Sequence, residues 1–126
     1  MSKSAVVAPP LKAVGPYSIG IEANGIVYLS GQIHLDPTIG KLAGAEIGAQ
    51  TKQCLENLKT ALAAAGLGFE HVVKTTVFLA DMGEFAGMNA VYETYMKAPF
   101  PARSTIQVAG LPLGARVEIE VIAHRG

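Results

Sequence analysis

A chain of 126 residues allows one domain with one proper core, and a fold of this size buries roughly two-thirds of its unfolded surface. Its ten basic and ten acidic residues cancel, which argues against the basic footprint of a nucleic-acid binder, and the aromatics do not alternate with Lys or Arg as a stacking platform would. Half the residues are hydrophobic and only 16% are charged, a ratio so rich for a small chain that part of the apolar surface is expected to lie between subunits.

Residues 1–15 read as a partly extended arm punctuated by Pro9, Pro10 and Gly15. Its apolar run, Ala5 to Ala8, is too short for a signal segment or a membrane span, so a soluble cytoplasmic protein is expected. Gly15-Pro16-Tyr17-Ser18 opens the first strand. Asn24-Gly25 stands between the apolar runs Ile19–Ile21 and Ile26–Leu29 and predicts a hairpin with a type I′ turn, whose two central positions need positive φ. Ser30-Gly31-Gln32 interrupts the second strand, where a glycine marks a bulge or a close approach. Ile33 to Leu35 are expected to continue that strand, and Asp36 to Gly40 to form a turn.

From about Glu46 to Ala65 the apolar residues recur at three- and four-residue spacing, which predicts a helix stopped by Gly66. Cys54 falls in the middle of it. A lone cysteine there excludes an internal disulfide and reads as a buried, inert thiol. His71 to Leu79 is β-branched and apolar, a strand. Asp81 and Glu84 put negative charge at the start of a second helix, from about Glu84 to Met96, with Phe85, Met88, Tyr92 and Tyr95 as its apolar stripe and Asn89 at the edge. Ala98-Pro99 ends it.

The last quarter holds two strands. After Pro99-Phe100-Pro101, the run from Ala102 places Arg103, Thr105 and Gln107 on one side and Ser104, Ile106 and Val108 on the other. Arg116 to His124 alternates Val117, Ile119 and Val121 against Glu118 and Glu120. If the two pair directly as a hairpin, matching apolar to apolar puts Arg103 opposite Glu118 or Glu120. The order is ββ(β)αβαββ in a single domain over 1–126. Two helices cover only one face of such an α+β sheet, and a partner subunit would cover the other.

Arg103 with Glu118 is the main constellation, and two readings of it stand. One is a cross-strand ion pair on a solvated face, worth at most about 1 kcal/mol. In the other, Arg103 grips a carboxylate through its fork while Glu118 positions or deprotonates a water. Glu120 competes as the base. The three histidines, His34, His71 and His124, lie in separate elements, so no metal motif arises. Ser30 and Ser104 lack a triad, and no glycine-rich phosphate loop is present. Tyr17 is either a core ring or a hydroxyl at a site, and Asn89 either caps a turn or donates to a ligand.

Pro101-Ala102-Arg103-Ser104, Gly110-Leu111-Pro112 and Val117-Glu118-Ile119-Glu120-Val121-Ile122-Ala123 closely resemble the RidA (YjgF-like, reactive intermediate deaminase) family. So do Gly15-Pro16-Tyr17-Ser18, Ser30-Gly31-Gln32-Ile33, Val73 to Leu79 and Asn89-Ala90-Val91-Tyr92. The match runs in order through nearly the whole chain. It implies a chorismate-mutase-like α+β fold, a mixed sheet of five to six strands with two helices on one face, assembled as a homotrimeric barrel with clefts between adjacent subunits. The implied activity is cofactor-free hydrolysis of enamines and imines, such as 2-aminoacrylate and 2-iminobutanoate, to 2-keto acids and ammonia, protecting pyridoxal-phosphate enzymes. By resemblance, Arg103 binds the substrate carboxylate, Glu118 orients water, and Tyr17, Ser30, Gly31, Asn89 and Thr105 contribute to substrate binding. This chain departs from the family at Thr105, where some members carry cysteine, at Ile19, often glutamine, and at His34, commonly proline. A 2-keto acid-binding regulator and a single-strand RNA endoribonuclease or translation inhibitor are the competing functions.

Overall fold

A computed structural model of the chain describes residues 2–126. Six strands make one mixed sheet: β1 (Ser4–Val6), β2 (Gly20–Ala23), β3 (Ile26–Gln32), β6 (Val72–Leu79), β7 (Ala102–Gln107) and β8 (Val117–His124). Their spatial order is β1-β2-β3-β8-β6-β7, and a separate hairpin pairs β4 (Leu35–Asp36) with β5 (Lys41–Leu42). The two helices are α1 (Ile47–Ala64) and α2 (Phe85–Tyr92).

Local chemistry explains the first hairpin and the long helix. Asn24 and Gly25 have φ of 52° and 75°, the pair of left-handed residues that a type I′ turn requires. In α1, Thr51, Cys54, Leu55, Leu58, Ala61 and Leu62 form one buried stripe. The helix stops where Gly66 turns to φ 76°, its N–H bonding Ala63 O while the Leu67 N–H returns to Leu62 O. That stripe lies on Val27, Leu29, Val117, Ile119 and Val121 of the sheet, all buried, with Met88 and Tyr92 of α2 joining the same core. Shortening Leu58, which is wholly buried, to alanine would cost about 2–5 kcal/mol.

The expected hairpin between the last two strands does not form. β6 lies between them, antiparallel to β8 and parallel to β7. A parallel pair needs a crossover, and α2 lies within it. The register aligns Arg103 with Thr75 and Val121, and Glu118 with Phe78 and Ile106. Arg103 therefore shares the helix-side face, Glu118 and Glu120 take the other, and no glutamate stands opposite Arg103. Neither condition of the expected register holds: the two strands do not pair directly, and β7 does not turn its apolar side to the core. As an edge strand, β7 carries Arg103, Thr105 and Gln107 on the helix side and leaves Ile106 on the open face, 44% exposed.

Three smaller differences follow from hydrogen bonding. The N-terminal arm adds β1 to the sheet edge through Ser4–Glu22, Ala5–Ile21 and Val6–Gly20. The register of β3 shifts between Leu29 and Gln32, as the glycine predicted, and the strand then ends; Leu35 and Asp36 pair with Leu42 and Lys41 rather than extending it. α2 ends at Tyr92 rather than Met96, and turns closed by Thr94 N–H to Val91 O and Tyr95 N–H to Tyr92 O lead toward Pro99.

The face away from the helices runs in one row through Ile21, Tyr28, Ile122 and Lys74, with Tyr28 46% exposed. Among the described residues, no helix is long and apolar enough to cross a membrane.

Candidate functional site

Arg103 sits on the edge strand above α2. Its Nη1 donates to Asn89 Oδ1 at 2.7 Å. The guanidinium carbon stands 4.8 Å from the Tyr92 ring centroid and 5.4 Å from that of Phe85. Phe85, Asn89 and Tyr92 are spaced four and three apart, so they share one face of the helix. Tyr92 is fixed in turn by a 2.8 Å hydrogen bond between its hydroxyl and Thr75 Oγ1, on the residue paired with Arg103 across the sheet. The other two arginines are neutralised, Arg116 by Glu84 and Arg125 by Glu22 at 2.7 Å. Among the described residues no carboxylate lies within ion-pairing reach of Arg103. A cleft of about 420 Å³, lined by Asn89, Tyr92, Glu93, Phe100, Pro101 and Arg103, opens beside it. An oriented, unpaired guanidinium at such a cleft can receive a carboxylate through two parallel N–H donors.

Glu118 belongs to a second concavity. A cavity of about 600 Å³ is lined by Tyr17, Ser30, Gly31, Leu113 and Glu118 together with residues of the N-terminal arm. Ser30 Oγ donates to Ser18 O at 2.6 Å and its N–H to Ile19 O at 2.9 Å, which pins the bulge. The bulge brings Gly31 directly against Glu118. A Cβ on Gly31 would stand 2.8 Å from the carboxyl carbon and nearer still to Oε2, so only glycine leaves the carboxylate where it is. Burial first, and the charge of Glu120 second, raise the Glu118 pKa above the ordinary carboxylate value. A carboxylate so perturbed, facing open space, suits proton exchange with water.

The residues expected at one site thus fall into two groups. Asn89 joins Arg103; Tyr17, Ser30 and Gly31 join Glu118. Thr105 is two residues along β7 from Arg103 on the same face, is half-buried against Val77, and lines neither concavity. The two groups lie on opposite faces of the sheet, and β6 separates their strands by two spacings, about 10 Å. Of the departures from the family pattern, Ile19 lines the Glu118 cavity. His34 is buried behind it, between Ile33 and Leu35, whose carbonyls both accept from the Asn57 amide. Cys54 is buried, and desolvation, then Glu118, drives its thiol pKa up, as an inert thiol requires. No group of three or more His, Cys, Asp or Glu among the described residues is placed to hold a metal ion.

Sequence reasoning missed the aromatic bracket of Arg103 and the contribution of Leu113. The spacing of Phe85, Asn89 and Tyr92 was visible, but a helical stripe of that kind reads as core. Leu113 gave no signal, because its position depends on a backbone conformation that leucine rarely adopts.

Comparison with known proteins fits this geometry into a family. Residues 7–125 match the sequence model described as Endoribonuclease L-PSP. A 2-iminobutanoate/2-iminopropanoate deaminase of Mus musculus is 49% identical over 114 residues, 90% of this chain and 84% of that protein. The Rid-family protein YyfA of Yersinia pestis superposes with a TM-score of 0.93 at 44% identity, covering 98% of this chain and 99% of that one. TdcF of E. coli, solved with bound serine, superposes with a TM-score of 0.86 at 40% identity over 90% of this chain and 91% of its own. The chain belongs to the RidA/YjgF family.

Proposed function

We propose that this protein hydrolyses 2-imino acids and their enamine tautomers to 2-keto acids and ammonia, at sites completed by two copies of the chain within a homotrimer. The carrying observation is the division of the site: the free guanidinium of Arg103 and the perturbed carboxylate of Glu118 lie on opposite faces of one sheet. A single small substrate cannot bridge them within one chain. The partly exposed Ile21, Tyr28 and Ile122 on the helix-free face supply apolar surface for a neighbour, as an obligate interface needs. The mouse relative is named for these substrates, and the TdcF structure holds serine, an amino acid with the same α-carboxylate.

In this reading Arg103, oriented by Asn89 and the rings of Phe85 and Tyr92, takes the substrate carboxylate of a molecule lying in the neighbour's Glu118 cavity. The imine carbon is electrophilic already, so the protein has to supply position and a proton route. Glu118 accepts a proton from water as its oxygen bonds to that carbon and the C=N electron pair moves onto nitrogen. Glu118 passes that proton to the nitrogen, giving the neutral carbinolamine and restoring its carboxylate. It then takes the hydroxyl proton as C=O forms, the C–N bond breaks with its electron pair going to nitrogen, and Glu118 hands the proton to the departing group, which leaves as ammonia. Tyr17, Ser30 and Gly31 line the water's side of the cavity, and Thr105 borders Arg103. A raised Glu118 pKa helps both half-steps, because the group takes and releases a proton nearer neutral pH.

The test is subunit complementation. Arg103→Ala and Glu118→Gln proteins should each be inactive. When they are unfolded together and refolded as mixed cyclic trimers, each hybrid gains one intact interface, so about a quarter of wild-type activity returns for random mixing. Mixtures that stay inactive despite proven subunit exchange would place the site within one chain. The family description also names an endoribonuclease; RNA cleavage that co-purifies with the trimer and disappears in Arg103→Ala would support that activity instead.

A further inference from the structure

The cavity before Glu118 is much larger than the smallest imino acid needs. At about 600 Å³ it falls in the range that encloses drug-sized ligands. Leu11, Val14, Ile19, Ile33, Leu35 and Leu113 line it, and Lys12 is its one cationic side chain. Val14 and Leu113 are 80% and 69% exposed in the single chain, and both line the same hollow. Exposed apolar side chains around a concavity mark a ligand groove or the partner surface that closes over it, and both apply at a site completed by a neighbouring subunit.

Leu113 is held there against its own preference. Its φ of 56° and ψ of 26° lie in the left-handed region, where a β-carbon collides with the backbone. Gly114 follows at φ 68°, and the Ala115 N–H closes the turn onto Pro112 O at 3.1 Å. Glycine would occupy position 113 without strain. Strain of this kind persists mainly where a side chain has a task.

The imine carbon is planar and has three substituents. If the carboxylate is on Arg103 and the C=N group meets Glu118, the third substituent, the amino-acid side chain, is directed into the remaining space. Resting on the deaminase reading, we infer that this cavity is the side-chain pocket of the site. The protein then favours imines of branched aliphatic and aromatic amino acids over 2-iminopropanoate, and Leu113 is the specificity-determining residue.

Imines generated in situ by a broad amino-acid oxidase from alanine, leucine, phenylalanine and aspartate test this, with kcat/KM taken from the loss of semicarbazide trapping. The leucine- and phenylalanine-derived imines should exceed the alanine-derived one by tenfold or more, within the range of about 10–200-fold that one methylene in an apolar pocket can command. Leu113→Ala and the unstrained Leu113→Gly should each lower the leucine-to-alanine ratio by about tenfold. A second readout is calorimetric binding of 4-methyl-2-oxopentanoate against pyruvate, which needs no turnover. Equal kcat/KM across the series, a preference for the aspartate-derived imine, or a ratio indifferent to Leu113 would overturn the pocket and leave the deaminase standing. No hydrolysis of any imine, with tighter binding of the larger keto acid that Leu113→Ala removes, would overturn the deaminase and leave the pocket. Neither turnover nor binding preference would overturn both.

Discussion

Around Arg103 each neighbour restrains the guanidinium, whereas around Glu118 the neighbours keep clear of the carboxylate. Arg103 donates a hydrogen bond to Asn89 Oδ1 and lies against two aromatic faces, and one of those rings is itself tethered to the sheet. Glu118 meets a missing side chain at Gly31, a partly desolvating wall and a repelling Glu120. The difference follows from the tasks proposed for the two groups. A fork that reads a planar carboxylate must be oriented before the ligand arrives. A base that handles a proton needs room for water and an environment that resists its charge.

The sharpest way to break this contrast is at the arginine. Arg103→Ala should lower kcat/KM by a hundredfold or more, of the order found when one charge-stabilising donor is removed. Thermal unfolding should barely change, since Arg103 is exposed and, among the described residues, ion-pairs with no carboxylate. Arg103→Lys keeps the charge and loses the fork and the stacking. Recovery of most activity by lysine would show that charge alone, rather than orientation, is what the cleft supplies.

The next largest effect should come from the other half. Gly31→Ala drives the new methyl group into the Glu118 carboxylate, which must move by an ångström or so. A misplacement of that size costs about a hundredfold in rate. It should appear in kcat, while the KM for the carboxylate, set at Arg103, stays nearly constant. A KM effect instead would mean that Gly31 contacts the substrate rather than making room for the base. Asn89→Ala should act in the mirror sense, raising KM about tenfold through loss of one hydrogen bond to a charged group, with a smaller change in kcat.

What could be read in advance follows the range of the forces involved. Asn24-Gly25, the stripe of α1 and the alternation of β8 are encoded by neighbours in the chain, and all appear as expected. The pairing of β7 is not local. A Gly-Leu-Pro loop between two short strands suits a hairpin equally well, and nothing between Ala102 and His124 says that Val72–Leu79 will enter the gap. The same limit applies to the site. The resemblance named Arg103, Glu118, Tyr17, Ser30, Gly31, Asn89 and Thr105, yet their division between two concavities depends on which face each strand presents. That division hinges on the face that β7 turns to the helices, which alternation alone does not decide.

The smallest effect separates the electrostatic account of Glu118 from a purely steric one. Its pKa in the folded chain is raised, by burial first and by Glu120 second. A raised carboxyl pKa means that folding favours the protonated form. The stability contributed by that group is therefore fully present below its unfolded value, near the ordinary glutamate pKa of about 4.3, and is lost as pH rises through the higher folded value. At neutral pH the ionised Glu118 is a destabilising element kept for its chemistry. Glu118→Gln should then be inactive but slightly more stable than wild type at pH 7, by a few degrees in Tm, with the gap closing as pH falls to 4. The acid limb of wild-type kcat/KM should lie above the normal glutamate range for the same reason. Glu120→Gln removes the second cause, so it should move that limb toward lower pH without abolishing activity. A Glu118→Gln protein that is less stable than wild type at pH 7 would mean that the carboxylate holds a structural partner, and the contrast with Arg103 would fail.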